Sequence, residues 1–196
     1  MIALSDSWRM TAEEYLEWEA LQDLRYELID GDVVAMTGGT IAHNDIALNL
    51  NDKLRSALRP KGCRVNVADV KVKVEATGNY FYPDLVVSCD DRDREATKEI
   101  LFPGLLVEVL SPRTEAKDRG RKWQNYRQIP TLIEYVLINC DRPLVECFRR
   151  RDRLWIYQTF GVGEVLDLES VGVSIAVDDL YDGVKIEENP DESVDK

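Results

Sequence analysis

The segment Leu105-Leu106-Val107-Glu108-Val109-Leu110 is apolar on both of its alternating faces, save for one acid. A strand of that kind belongs in the middle of a sheet that is covered on both sides. The runs Leu85-Val86-Val87 and Leu132–Asn139 read the same way. Such strands need helices to cover them. From about Ile41 to Leu58, the residues Ile46, Leu50, Leu54 and Leu58 recur every fourth position, which predicts an amphipathic helix stopped by Pro60-Lys61-Gly62. A second helix is expected over 115–128, ended by Pro130. The fold class is therefore α/β with a mixed sheet.

Local signals supply the rest. Thr11-Ala12-Glu13-Glu14 is a capping box that opens a short N-terminal helix. Tyr26–Met36 reads as a hairpin with Asp30-Gly31 as its two-residue turn, followed by a loop Thr37–Thr40. Strands are expected at 63–67, 70–75 and Tyr80–Ser88, then a loop with a short helical turn over 89–104. Antiparallel strands follow at 143–149, 153–159 and 164–168, with a last short element at Ser174–Leu180. A chain of 196 residues suits one domain, 1–186, with 187–196 as a flexible acidic tail.

Composition excludes several classes. With 44% hydrophobic and 32% charged residues the chain is globular, and no apolar run approaches the roughly 18 residues that span a bilayer. The N-terminus lacks a basic region followed by an apolar stretch, so a cytoplasmic address without membrane attachment is expected. Cys63, Cys89, Cys140 and Cys147 have no metal-ligand spacing and suggest neither a zinc site nor a disulfide framework.

The net charge of -12 argues against non-specific nucleic-acid binding. Yet the acids gather at the ends: residues 1–32 hold nine acids and two bases, and 187–196 hold five acids and one base. Residues 113–127 carry six bases against two acids, and Arg149, Arg150, Arg151 and Arg153 flank a single Asp152. The middle of the chain leaves room for a basic surface that the total conceals.

Glu108 is the anomaly, because an ionised carboxylate in a buried strand is costly unless paired or bound to a cation. Asp84, following Pro83 at the entry to Leu85-Val86-Val87, is a second case. Two carboxylates delivered from neighbouring central strands make a hard-oxygen site suited to Mg²⁺ or Mn²⁺. Asp118, Lys122 and Tyr126 are spaced i, i+4, i+8 and share one helix face, which can aim Lys122 at those acids.

Taken in order, these residues resemble the PD-(D/E)xK nuclease superfamily of restriction-endonuclease-like fold. Pro83-Asp84 matches the PD element, and Glu108-Val109-Leu110 stands where (D/E)xK belongs, with Leu110 in place of the lysine. More narrowly, YELIDGDVVAM (26–36), His43, YPDLVVS (82–88), LLVEVLSP (105–112), Asp118, Lys122 and Tyr126 resemble a restriction-endonuclease-like family long labelled a domain of unknown function. The resemblance spans about residues 10–180. It implies an αβββαβ core with an added N-terminal helix and hairpin and extra C-terminal strands.

The resemblance further implies a metal-dependent DNA endonuclease acting as a homodimer. Asp84, Glu108 and the backbone carbonyl of Val109 would hold the Mg²⁺, and Lys122 would be a relocated lysine. Glu27 reads either as a third carboxylate of that site or as an exposed strand residue. His43, the single histidine, reads as a substrate contact or as a residue bonded locally at a helix start; Tyr126 reads as a packing residue with a bonded hydroxyl. The four tryptophans read as core or interface residues. Leu110 motivates the alternative, a catalytically inactive domain of this fold that binds nucleic acid or a protein partner.

Overall fold

The computed structural model describes residues 9–36 and 38–186. The readings placed on Trp8, Thr37 and 187–196 lie outside the described residues.

The chain opens with α1 (Ala12–Glu19), where the Thr11 side chain and Glu14 close the expected capping box. A hairpin of β1 (Tyr26–Ile29) and β2 (Asp32–Ala35) follows, and its Asp30-Gly31 turn has both φ angles positive, as a type I′ connection requires. Next come α2 (Ile41–Leu58), β3 (Arg64–Val67), β4 (Lys71–Val74), β5 (Asn79–Phe81) and β6 (Leu85–Ser88). The two-residue β7 (Glu99–Ile100) precedes the central β8 (Leu105–Leu110). A broken helix then runs through α3 (Glu115–Lys117), a π-helical turn (Asp118–Lys122) and α4 (Trp123–Tyr126). The chain continues as β9 (Glu134–Asn139), β10 (Val145–Arg151), β11 (Leu154–Phe160), β12 (Val165–Leu168), β13 (Val173–Ala176) and α5 (Val177–Leu180).

The strands form three sheets where one mixed sheet was expected. The largest has the order β11-β10-β9-β8-β6-β3, with only β8 and β9 parallel. A five-stranded sheet has the order β2-β1-β5-β4-β7, and β12 pairs with β13. The stretch Tyr80–Ser88, expected as one strand, is split between the two larger sheets. Pro83 has no N–H to give a ladder, so the chain leaves one sheet and enters the other around it. That break places Asp84 at the seam.

Alternation along the central strands separates two cores. Leu105, Val107 and Val109, with Leu85, Val87, Val136 and Ile138, face Ile46, Leu50, Leu54 and Leu58 of α2. Leu106 and Leu110, with Val86, Tyr135 and Leu137, face Val72, Phe81 and Tyr126 on the other side. Glu108 shares the parity of Leu106 and Leu110, so its carboxylate enters the second core.

The helix expected over 115–128 ends at Tyr126 and is not uniform. Trp123 N–H reaches back five residues to the Asp118 carbonyl, a wider loop than an α-helix makes. Cys63 and Cys89, whose spacing suggested no disulfide framework, form a disulfide with their Cα atoms 4.2 Å apart. Arg64 opposes Ser88 in the β3–β6 ladder, and one step beyond brings the cysteines face to face. Spacing along the chain carries no information about that register. Disulfides are uncommon in reducing compartments, so this one weighs against a cytoplasmic address. No helix among the described residues is long and apolar enough to cross a membrane.

Candidate active site

The same ladder logic builds the site. Leu85 opposes Val107 and Val86 opposes Leu106 in the antiparallel β6–β8 pair, so one further step sets Asp84 opposite Glu108. The Asp84 carboxylate bends back onto the strand: its Oδ2 accepts the Val109 N–H at 2.7 Å and lies 3.1 Å from His43 Nε2. The broken helix brings the cation. Lys122 Nζ donates to Glu108 Oε1 at 2.9 Å and lies 3.3 Å from Glu27 Oε1 and 3.4 Å from Asp118 Oδ1. Tyr126 hydroxyl donates to the same Glu108 oxygen at 3.0 Å. Glu27 also accepts the Tyr82 N–H at 3.2 Å and pairs with Lys117.

The depth of these groups differs. Glu27, Glu108, Asp118 and Lys122 are buried, whereas the Asp84 and His43 side chains keep 21% and 18% of their exposure. Burial pushes the Glu108 carboxyl well above the usual range, more than the Lys122 charge pulls it down, with Asp118 and Asp84 adding to the rise. Burial raises Asp118 as well, against the pull of Lys122. Glu27 goes the other way: its burial is outweighed by Lys122 and Lys117, and it stays ionised. Burial alone would lower Lys122, but Glu108, Glu27 and Asp118 hold it firmly charged. Burial likewise pulls down His43, and the Asp84 hydrogen bond and charge reverse that.

Several positions resolve against their two readings. Glu27 is buried rather than exposed. His43 does both things: its backbone N–H donates to the N-cap Thr40 hydroxyl at 3.2 Å, while its ring reaches Asp84. Tyr126 packs and uses its hydroxyl. Leu110 lies in the second core, and the ammonium beside Glu108 comes from the helix instead of the strand.

Two site residues had no signal in a 3.6-residue reading. Lys117 is five positions before Lys122, an offset of about 140° in an α-helix, yet the π turn lets both reach Glu27. Gly39 backs the imidazole: a Cβ there would lie 2.8 Å from His43 Nδ1, so only glycine lets the ring sit against the loop.

The donor set suits a hard cation. Glu27, Glu108 and Asp118 surround the Lys122 ammonium, Asp84 lies opposite Glu108, and the buried Asp118 Oδ1 makes no hydrogen bond among the described residues and faces that ammonium at 3.4 Å. Among the described residues, no three acid, histidine or cysteine side chains are gathered closely enough to ligate one ion by themselves. The residues fit a cation that takes two carboxylates, a backbone carbonyl and water, as Mg²⁺ does.

The basic stretches are only partly outward. Lys117 and Lys122 turn in to the acids, Arg119 pairs with Glu115 and Glu146, and Arg150 donates to the carbonyls of Arg127, Ile129 and Pro130. Arg113, Arg121 and Arg127 remain exposed without an ion-pair partner among the described residues. Trp123 and Trp155 pack edge to face in the second core.

This architecture defines a restriction-endonuclease-like α/β protein. A solved structure described as a "putative nuclease belonging to DUF820" from Anabaena variabilis ATCC 29413 matches it with a TM-score of 0.74 at 16% identity, over 90% of this chain and 99% of that one. The chain belongs to the Uma2 family, described as "Putative restriction endonuclease", whose sequence profile matches residues 12–178. It is 37% identical over 177 residues to the "Uncharacterized protein slr1290" of Synechocystis sp., covering 90% of this chain and 93% of that protein. A second Synechocystis protein, "Uncharacterized protein sll1609", is 28% identical over 172 residues, covering 86% and 97%. Fold and family together place the chain among nuclease-like proteins.

Proposed function

We propose that this chain is a divalent-metal-dependent endonuclease that hydrolyses DNA phosphodiester bonds, folded as a single domain over 1–186 and working as a homodimer. The observation that carries the reading is the helix-borne Lys122 ammonium, 2.9 Å from Glu108 in a strand whose neighbour presents Asp84. Asp84, Glu108 and the Val109 carbonyl would hold Mg²⁺ or Mn²⁺. A divalent ion bound there supplies charge neutralisation and an acidified water. Lys122 orients the attacking water and offsets the charge that builds on the phosphate oxygens. His43 and the Val109 N–H both hold Asp84 Oδ2, which leaves its other oxygen to face the cation. Glu27 and Asp118 keep Lys122 charged and aimed.

Supercoiled plasmid incubated with Mg²⁺ or Mn²⁺ tests this: the wild-type chain should nick or linearise it, and Asp84→Ala should not. Equal cleavage by both proteins defeats the assignment. A second reading, a silent domain that only binds, is favoured by one observation: Lys122 already has three carboxylates around it. Calorimetric titration with Mn²⁺ separates the two, since a silent site shows no binding that depends on Asp84 and Glu108.

A further inference from the structure

The outer strands of the two large sheets differ in how they are protected. At its free ends the five-stranded sheet has β2, four residues beginning with Asp32, and β7, only two residues. The six-stranded sheet ends on one side in β3, four residues that include Arg64 and Asn66. Short length and charged residues are the usual guards of a free edge. β11 has neither. It is seven residues long, Leu-Trp-Ile-Tyr-Gln-Thr-Phe, with no charge, proline or glycine, in a chain where 32% of residues are charged. It pairs only with β10. Leu154, Ile156 and Tyr157 are 71%, 45% and 53% exposed.

We propose that β11 is the interface with a second copy of this chain, joined edge to edge and antiparallel across a two-fold axis near Tyr157. Full overlap sets Leu154 beside Phe160 of the second copy and Arg153 beside its Gly161. The charges then match. Arg153 is exposed without an ion-pair partner among the described residues, and Glu164 folds back so that its Oε2 accepts the Gly161 N–H at 2.6 Å. Within one copy these two groups stand at opposite ends of a strand about 24 Å long. They meet only between copies. An isologous pairing of this kind uses up both free edges and closes at two, which keeps an uncharged edge from recruiting further chains. The proposal rests on the homodimer put forward above and gives it an interface; its failure is distinguishable from failure of the nuclease chemistry, because assembly is measured without metal or DNA.

Sedimentation velocity at low salt decides it, using the full chain as wild type, Arg153→Glu, Glu164→Arg and the double variant, with circular dichroism to verify folding. The expected result is a wild-type dimer, a loss of about tenfold or more in dimer affinity for each single reversal, and recovery in the double variant to within about threefold of wild type. Ile156→Lys should give a folded monomer; should it fail to fold, the charge-swap series still decides. A monomeric wild type, an assembly larger than two, single reversals without effect, or a double variant no better than the singles each overturn the proposal.

Discussion

At β8 the two faces of the six-stranded sheet are both buried and chemically opposite. On one, Leu105, Val107 and Val109 pack with the aliphatic Ile46, Leu50, Leu54 and Leu58 of α2. On the other, one residue along the same strand, Glu108 meets Lys122 and Tyr126 among aromatic rings. The first face gains stability simply by leaving water, at about 25 cal/mol per Å². The second is stable only while its charges answer one another, because desolvation of a buried ion pair consumes most of the Coulomb gain. Burial alone therefore does not distinguish a stabilising layer from a chemically prepared one; the charge arithmetic does.

The comparison is broken most severely at Lys122. Lys122→Ala leaves three buried carboxylates without their shared ammonium and should lower stability by about 3–5 kcal/mol in urea unfolding, together with any cleavage activity. Leu54→Ala on the dry face should cost about 3 kcal/mol, by lost transfer energy and the cavity left, while cleavage per folded molecule is unchanged. If Leu54→Ala proves the more harmful to activity, the two faces are not separable.

The smallest effect has the opposite sign. Because burial raises Glu108, the folded chain holds that proton more tightly than the unfolded one. Its contribution to stability is thus present at low pH and lost as pH rises above the unfolded value of 4.5 toward the raised folded one. Glu108→Gln should remove that loss and stabilise the chain by about 0.5–2 kcal/mol at neutral pH while abolishing cleavage. Denaturant melts of both proteins across pH 4–8 check it; a destabilised Gln variant would mean that the Lys122 pairing outweighs burial.

What the sequence made legible follows from range. The capping box at Thr11, the Asp30-Gly31 turn and the α2 stripe are set by residues within a turn or two, and the described chain contains them. The oddity of Glu108 could also be read locally, as an acid in an apolar run. Register could not. The opposition of Asp84 to Glu108 and of Cys63 to Cys89 follows from how two distant strands align, which neither strand encodes alone. The division of Tyr80–Ser88 between sheets and the inward turn of Lys117 likewise depend on tertiary packing.

The wide turn at Asp118–Lys122 makes direction a matter of counting. Each residue of an α-helix advances the azimuth by about 100°, so regular α geometry over these same residues would set Lys117 and Lys122 about 140° apart without altering any side chain. One ammonium would then leave the acids whichever way the helix settled. Substitution scans leave such a dependence unseen, since the information lies in the winding of the segment and not in any single side chain.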